Sequence, residues 1–275
     1  MSSPAHSLRS SSLTMAACAA LTVLAPPTAL GQITGAGSAP SYSAASIVNA
    51  ATQTVEALAP NALATVYGSG LAFSTRAVAT NDIVKNALPT NLDGVAVWVN
   101  AFAASLLFVS PTQINFLVPY ALSPQTVSVI VVRDTVAGPV ASVILNNTSP
   151  GLFLWGGNNA IATHLSGLLV STQSPAHAGE IIVTYAGGLG RTAPDIAGGQ
   201  LATAAFSLYY ASQLQILFNG HPCPPGCVLY AGLAPGFAGL YQINLKLPAD
   251  IGVNPEIRIV IGAQSSPPSV ILAVQ

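Results

Sequence analysis

Few side chains in this sequence could carry out acid-base or metal chemistry, and they are spread along the chain. There are 8 Asp and Glu residues and 4 His residues among 275. A glycosidase needs two carboxylates that converge across a sugar, and no two acids stand at the spacing of one strand face. His164, His177 and His221 are far apart and match no zinc-helix or deaminase motif. The sequence therefore indicates a protein that is not an enzyme and has no cofactor or metal.

A serine hydrolase is the enzyme class that residue types alone leave open, because Ser, His and Asp can converge from distant positions. The segment Gly68-Ser69-Gly70 lacks the spacing of a nucleophile elbow and the helix that would follow it. The glycine run from Gly187 to Gly190 similarly precedes no helix start that could bind phosphate. We interpret these glycines as turn residues that adopt positive φ, and the hydrolase alternative is disfavoured.

Cys223 and Cys227 flank Pro224-Pro225-Gly226, which is a tight turn sequence. We predict a disulfide between them, because an oxidising compartment would let them pair. The bridge over so short a loop is geometrically demanding, so free thiols remain an alternative. A metal site is a weaker alternative, since two thiols and nearby His221 do not complete a tetrahedral set.

Aromatic side chains are the other candidates for ligand contact, because their faces stack on sugar rings. In the predicted strand around Trp98, the tryptophan lies on the opposite face from its valine neighbours. Trp155 and the pair Tyr209-Tyr210 are near turns. Packing in a core or between domains is the interpretation that we favour for these aromatic residues, and a carbohydrate-binding surface is the alternative.

The sequence predicts that the candidate residues are positioned by short strands. β-Branched or alternating runs are interrupted by Gly, Pro and Asn about every ten residues, which is typical of an all-β protein. One short helical turn is expected around Ile47 to Thr52. The predicted strands are Leu63 to Tyr67, Gly94 to Asn100, Leu106 to Val109, Gln113 to Val118, Thr126 to Arg133, Val140 to Leu145, Glu180 to Tyr185, Leu214 to Asn219, Cys227 to Tyr230, Tyr241 to Leu247, Ile257 to Ile261 and Ser269 to Val274.

Three motifs occur twice in the same order, which indicates duplication of one unit. The matching pairs are Tyr67, Gly68 and Gly70 with Tyr185, Gly187 and Gly188; Val97 to Asn100 with Ile216 to Asn219; and Gln113-Ile114-Asn115 with Gln242-Ile243-Asn244. Six or seven strands in each half suit two tandem immunoglobulin-like β-sandwiches. The Gln and Asn of each motif share one strand face, so we expect them to face solvent or to satisfy backbone at a sheet edge. An amide ladder that contacts a ligand is the alternative.

The N-terminus predicts export. An apolar run from Leu13 to Ala25 is followed by small residues before Gln32, as in a cleaved signal peptide over residues 1–31. A membrane anchor, which needs a longer run, and a lipoprotein using Cys18 are the alternatives. Residues 32–45 are small and polar, which predicts a flexible leader. The two sandwiches are then expected over residues 46–149 and 150–275.

Composition limits the partners. Charged residues make up 5% of the chain and the formal net charge is -1, so no basic stripe is available to neutralise nucleic acid or an anionic membrane. Beyond residue 31, no stretch is long and apolar enough to span a membrane. The expected partners are extracellular or envelope proteins, with glycans as the alternative.

Several linked blocks resemble a known family. They are Ile47 to Ala51, Leu88 to Val95, Phe108 to Phe116, and Ala231 to Gly236 together with Tyr241 to Asn244. These blocks are similar to the uncharacterised C-terminal domain that is abundant in exported proteins of Acidobacteria of the Solibacter type. The resemblance implies export and a β-sandwich, and it supplies no catalytic residues. Each half also resembles immunoglobulin-like domains of cell-surface receptors and transcription factors. We therefore expect a secreted or cell-surface module, without catalysis, for protein interaction, adhesion or structural assembly.

Overall fold

Strands and short 3-10 helices are the regular structure of residues 38–275, the part of the chain that this computed structural model describes. The predicted signal peptide and the leader residues 32–37 lie outside the described residues. The 3-10 helices are Ala44–Ser46, Thr80–Asp82 and Ala211–Gln213. No α-helix occurs between residues 38 and 275, so the all-β prediction is confirmed.

The first unit contains ten strands in two antiparallel sheets. They are β1 (Ile47–Asn49), β2 (Leu63–Tyr67), β3 (Arg76–Ala77), β4 (Val95–Val99), β5 (Phe102–Ala103), β6 (Ser105–Val109), β7 (Gln113–Leu117), β8 (Gln125–Arg133), β9 (Val136–Ala137) and β10 (Ala141–Leu145). The first sheet has the order β1-β2-β7-β6-β3, and the second has the order β10-β8-β4-β5 with β9 beside β8. This division of strands is the one expected of an immunoglobulin-like sandwich.

The second unit contains the remaining strands. They are β11 (Gly151–Leu152), β12 (Leu154–Trp155), β13 (Asn159–Ala160), β14 (Ala162–His164), β15 (Ile181–Gly187), β16 (Thr192–Ala193), β17 (Ser207–Leu208), β18 (Leu214–Phe218), β19 (His221–Pro222), β20 (Val228–Leu233), β21 (Tyr241–Lys246), β22 (Ile257–Ile261) and β23 (Gln264–Ser265). The third sheet has the order β11-β15-β21-β20-β17-β16 with β14 beside β15, and the fourth has the order β19-β18-β22-β23. A small separate sheet pairs β12 with β13.

Each unit has its own apolar core between its two sheets, because alternate residues of each strand point inward. In β8, Val127, Val129 and Val131 are buried and the intervening residues are more exposed. These valines belong to the core of the first unit, and Ile257 and Ile259 of β22 belong to the core of the second. The strand alternation in the sequence therefore predicts the two sandwiches correctly.

The two units repeat the same strand register, which confirms the internal duplication. Tyr67 is opposite Gln113 in the first unit, and Tyr185 is opposite Gln242 in the second. The neighbouring strand pair carries a bulge at Leu106/Phe108 in the first unit and at Val228/Tyr230 in the second. Matching pairs and matching irregularities are what duplication of one unit produces.

Two elements differ from the sequence-based expectation. Residues 47–49 form strand β1, because the β-branched pair Ile47 and Val48 joins the edge of β2. The expected helical turn is confined to the residues that follow, where Gln53 N donates to Asn49 O at 2.8 Å. The expected strand Ser269 to Val274 is absent as a regular element, and Ile271 makes only isolated bridges to Asn159 and Glu256. The segment alternates between partners instead of pairing with one strand, since Val270 O accepts from Ile257 N at 2.8 Å and Ala273 O accepts from Ala176 N at 2.9 Å.

The prediction of a flexible leader is wrong for residues 38–45. Ser41 exchanges two backbone hydrogen bonds of 2.9 Å with Ser69. The hydroxyl of buried Tyr42 donates to Pro139 O at 2.6 Å and accepts from Val131 N at 2.7 Å. Buried Arg133 donates to Ser38 O at 2.6 Å. This segment has few apolar residues, so no periodicity indicated its packing, and single side chains tie it to the sandwich instead.

A third apolar cluster joins the two units. The first unit contributes Leu63 and Leu117, from the outer face of the first sheet. The second unit contributes Val183 and Tyr185, from the outer face of the third sheet, together with Phe153. These two sheets therefore lie toward each other, and their contact leaves the outer face of the second sheet uncovered in the first unit.

Candidate functional site

The outer face of the second sheet exposes a tryptophan and several aliphatic side chains on regular strands. We call it the Trp98 face, and it consists of Ala96 and Trp98 of β4, Ile130 and Val132 of β8, and Ile144 of β10. Trp98 is 40% exposed and lies opposite Ile130 in the sheet. Ile144 is 60% exposed. Thr126, Ser128 and Ser142 point to the same side of these strands, and the pair Ser128–Ser142 lies between Ile130 and Ile144. The face is therefore neutral, with an aliphatic part around Trp98 and a strip of hydroxyl side chains beside it.

The second unit offers an internal comparison for this face, because the repeat places Leu217 at the position of Trp98. Leu217 lies opposite Arg258, whereas Trp98 lies opposite Ile130. The Arg258 guanidinium donates to Ser265 Oγ at 2.9 Å and stands 3.9 Å from the carboxylate of Glu256. The equivalent face of the second unit therefore carries a charged, half-buried guanidinium beside Leu217, and the pairing of a tryptophan with an isoleucine belongs to the first unit alone.

The other aromatic candidates are also exposed, but the structure does not bring them to the Trp98 face. Trp155 ends β12 and is 43% exposed, and Tyr209 is 64% exposed. Tyr210 is half-buried against the core of the second unit, with its ring centroid 5.0 Å from that of Tyr209. The interpretation of Trp98 and Trp155 as packed inside a core or between the units is therefore wrong, since both present their rings to solvent.

The repeated Gln and Asn residues have a structural arrangement in both units. Gln113 Nε2 donates to Asn115 Oδ1 at 2.9 Å, and Gln242 Nε2 donates to Asn244 Oδ1 at 3.2 Å. Thr65 Oγ1 also donates to Asn115 Oδ1, at 3.1 Å. Strands β7 and β21 lie in the middle of their sheets, so the expectation that this motif satisfies a sheet edge is wrong. The amides instead form a short ladder across a sheet face.

The repeated glycines serve two purposes. Gly70 and Gly188 have φ of +62° and +70°, which confirms the turn interpretation for these two. Gly68 is different, because it lacks positive φ and a Cβ there would lie 2.3 Å from Ser41 O. Gly187 also lacks positive φ and lies in β15 opposite Gly151. Close approach of the chain, rather than turn conformation, therefore explains Gly68.

A hydrogen-bonded cluster of one histidine, one glutamate and one serine lies beside an open pocket of the second unit. The sequence did not indicate it. His164 Nδ1 is 2.5 Å from Glu180 Oε1, while its Nε2 is 3.1 Å from Ser174 O and 3.2 Å from Ser174 Oγ. His164 stands on β14, and Ser174 closes a tight turn with Ser171. His164 therefore has two side-chain partners, although the sequence shows the three histidines only as widely separated residues that match no motif. Residues 164, 174 and 180 are separated by loops, so no motif could reveal their approach.

The cluster has the residue types of a Ser-His-Glu triad, but its hydrogen bonds favour a structural role. Burial opposes the charged imidazole of His164, yet hydrogen bonds to Glu180 and to the Ser174 carbonyl, together with the charge of Glu180, raise its pKa above 6.5. Burial also opposes the charged carboxylate of Glu180, but hydrogen bonds from His164 and from the His177 amide lower its pKa below 4.5. A protonated imidazole donates to both acceptors, whereas a general base needs a free lone pair on Nε2. The histidine therefore ties the turn to β14.

The predicted cysteine pair is bonded. A disulfide joins Cys223 and Cys227, whose Cα atoms are 6.1 Å apart. Cys227 is buried in the core of the second unit and Cys223 packs against that core, so the bridge anchors the turn between β19 and β20. Among residues 38–275, no three His, Cys, Asp or Glu side chains are grouped to bind a metal ion. Within the same residues, no helix is long and apolar enough to cross a membrane.

Comparisons with known proteins give distant structural similarity. No protein-family model and no curated protein sequence matches the chain. The chain is similar to SGBP-B of the Bacteroides ovatus mixed-linkage glucan utilization locus, solved with a mixed-linkage heptasaccharide, with a TM-score of 0.32, 10% identity, and coverage of 80% of this chain and 43% of that chain. It is similar to the surface glycan-binding protein PbSGBP-B from Prevotella bryantii, with a TM-score of 0.27, 13% identity, and coverage of 85% and 42%.

A third similar structure is the tandem Ig repeats of Dlar, with a TM-score of 0.21, 10% identity, and coverage of 80% of this chain and 92% of that chain. The chain spans less than half the length of the two glycan-binding structures. All three TM-scores are low, so the sandwich assignment rests on the sheet order and register of this chain.

Proposed function

We propose that this chain is an exported β-sandwich module that acts without catalysis, by protein contact through the Trp98 face. The observation that carries the proposal is the difference between equivalent faces of the two units. Trp98 and Ile130 stand where the second unit has Leu217 and Arg258. A solvated face has no need of a tryptophan beside an isoleucine, so the first unit presents a surface suited to burial.

The chemistry of the Trp98 face selects its partner. The face has no ionisable side chain, so a charged partner surface would lose hydration without gaining a counter-charge. The residue opposite Trp98 is Ile130, and the hydroxyl of Ser128 in the next row is already bonded to Asn100 Oδ1 at 3.2 Å, so the immediate surroundings of Trp98 offer little side-chain hydrogen bonding to sugar hydroxyls. Tryptophan at the centre of an apolar patch is the residue type that most often dominates a protein interface. We therefore assign the face to an uncharged, apolar surface of another protein.

The compartment of this contact follows from the N-terminal sequence. The apolar run from Leu13 to Ala25 and the small residues before Gln32 support cleavage of a signal peptide. The bonded cysteine pair of the second unit suits an oxidising compartment outside the cytoplasm. The partner is then a secreted or envelope protein, and the chain serves adhesion or assembly there.

Photo-crosslinking tests the proposal directly. The full chain would carry a benzophenone amino acid at position 98 in one variant and at position 217 in its matched control, because these positions are equivalent in the two units. The variants would be irradiated in the envelope of the producing cell. We expect one protein to be crosslinked from position 98 and not from position 217, through residues that mass spectrometry maps to an uncharged apolar surface.

The purified partner would then be titrated with the wild-type chain and with the Trp98→Gln variant. Affinity reduced about 30-fold would support the proposal, since loss of a central tryptophan typically has an effect of this size. Equal crosslinking from both positions would contradict it. A crosslink to a second copy of the chain, or a glycan whose binding requires Trp98, would replace the proposed partner.

A further inference from the structure

A cleft of about 260 Å³ lies where the end of the first unit meets the second. One wall is the segment from Asn146 to Thr148, which follows β10. The other wall consists of Tyr210, Gln213 and the turn from Ile261 to Gln264, between β22 and β23. The Trp98 face contributes no residue to this cleft. Any ligand held here is therefore independent of the proposed protein contact.

The walls of the cleft are fixed relative to each other by the backbone. Asn146 N donates to Leu58 O at 2.9 Å in the first unit, and Ser149 N donates to Gly188 O at 2.7 Å in the second. Asn49 Nδ2 also donates to Ser149 O, at 3.1 Å. The segment between these bonds is thus held at both ends, so a ligand would meet a cleft that is already formed, which reduces the entropy lost on binding.

Amide side chains dominate the polar lining. The four amides are those of Asn146, Asn147, Gln213 and Gln264. Asn147, Gln213 and Gln264 are exposed and Asn146 is half-buried, and none of the four makes a side-chain hydrogen bond to another of residues 38–275. Each amide offers two donors and one acceptor, which matches a hydroxyl group that donates and accepts at once. Four uncommitted amides in one cleft therefore suit a ligand rich in hydroxyl groups.

The cleft also contains one aromatic ring and no charged side chain, which favours an uncharged ligand with an apolar face. Tyr210 lies in the wall, half-buried against the core of the second unit, and it is the aromatic residue of the lining. No Asp, Glu, Lys, Arg or His is among the lining residues. The nearby guanidinium of Arg191 is engaged by Asp195, with Nε 3.1 Å from Oδ1. An anionic or cationic ligand would find no counter-charge here.

We infer that this cleft binds one unit of a neutral carbohydrate. The ring of Tyr210 contacts the apolar face of the sugar, and the amides of Asn147, Gln213 and Gln264 bind its hydroxyl groups. A volume of about 260 Å³ is smaller than the roughly 300 to 1,000 Å³ of pockets that take drug-sized ligands. The cleft therefore holds a single sugar ring, with the rest of a chain extending into solvent.

Calorimetric titration of the full chain with neutral oligosaccharides tests the inference. The probes are cellotetraose, laminaritetraose, xylotetraose and mannotetraose. Asn147→Ala combined with Gln264→Ala removes two exposed amides, and Gln215→Ala removes an exposed amide outside the lining as the matched control. We expect at least one probe to bind, with about tenfold weaker affinity in the double variant and an unchanged affinity in the control.

Two further measurements make the result decisive. Ile130→Arg alters the Trp98 face, and it should leave sugar affinity unchanged, which separates this inference from the proposed protein contact. Absence of binding by all four probes, or equal binding by the double variant, would overturn the inference. Binding of an uncharged serine-rich peptide in the same cleft, without binding of sugar, would also overturn it.

Discussion

The two units share their framework and differ in the outer faces of equivalent sheets. In both, a Tyr opposite a Gln marks the same register, and an Asn with positive φ closes the same hairpin. On the outer face, Trp98 and Ile130 of the first unit correspond to Leu217 and Arg258 of the second. The repeated residues are thus those that the backbone requires, whereas the residues that differ are those that solvent or a partner meets.

This difference separates two reasons for the presence of an apolar residue. Leu63 and Leu117 are apolar because the second unit covers them in the cluster between the units. Trp98 and Ile144 are apolar and exposed, and no described residue covers them. Arg258 of the second unit shows that the fold does not need an apolar residue at the position of Ile130. Predictions that exchange equivalent positions can therefore test framework and function separately.

The largest expected effect is a loss of stability on substitution of Gly188, compared with its equivalent Gly70. Gly188→Ala places a Cβ 1.9 Å from Ser149 O at a φ of +70°, and we expect the free energy of unfolding to fall by about 3 kcal/mol. Gly70→Ala places its Cβ 3.2 Å from the Arg133 guanidinium, and the expected loss is about 1 kcal/mol. Urea denaturation measures both, and equal losses would contradict the difference in backbone packing.

The next effect concerns partner binding. Ile130→Arg gives the first unit the residue of the second, and we expect affinity for the partner to fall by about 30-fold. The position is on the outer face, so the free energy of unfolding should change by less than about 0.5 kcal/mol. Arg258→Ile is the reciprocal variant, and it should leave partner affinity unchanged. An affinity that responds equally to both exchanges would show that the Trp98 face is not the site.

A smaller and symmetric effect is expected at the hairpin asparagines. Asn100 and Asn219 have φ of +52° and +49°, and their Oδ1 atoms accept from Ser128 N and Glu256 N, each at 2.9 Å. Replacing either by Ala removes this hydrogen bond and leaves a strained backbone, so each should lose about 1 to 2 kcal/mol in thermal or urea unfolding. Losses that differ by more than about 1 kcal/mol would weaken the equivalence of the two units.

The smallest expected effect is a pH-dependent change in stability, which comes from the pair His164 and Glu180 of the second unit. His164 has a raised pKa, so its contribution is complete below pH 6.5 and is lost as pH rises through its folded pKa. Glu180 has a lowered pKa, so its contribution is complete above pH 4.5 and is lost as pH falls through its folded pKa. His164→Gln should therefore reduce stability most between these values and less at pH 8. His177→Gln keeps the amide that Glu180 accepts from and removes only the more distant charge of the His177 ring, so its effect on stability should be clearly smaller than that of His164→Gln.

Strand positions could be read from the sequence because burial of alternate residues leaves a period of two. Every predicted strand except the last coincides with an observed strand to within a few residues. The differences at Ser269 to Val274 and at Ile47 to Asn49 occurred where pairing depends on a distant edge. Residues 38–45 show the same limit, because Tyr42 and Arg133 anchor them through contacts that are about 90 residues apart in sequence.

The sequence by itself determined the fold class and the repeat, because each leaves a local or periodic pattern, whereas for the cysteine pair it predicted a disulfide and left free thiols as an alternative. It could not determine that Trp98 is exposed while Leu63 is covered, since both stand in strands of similar apolar character. The packing of one unit on the other decides which face is covered. It also brings Asn147 and Gln264 to one cleft. Such juxtapositions depend on the relative placement of two complete sheets, which no short stretch of residues encodes.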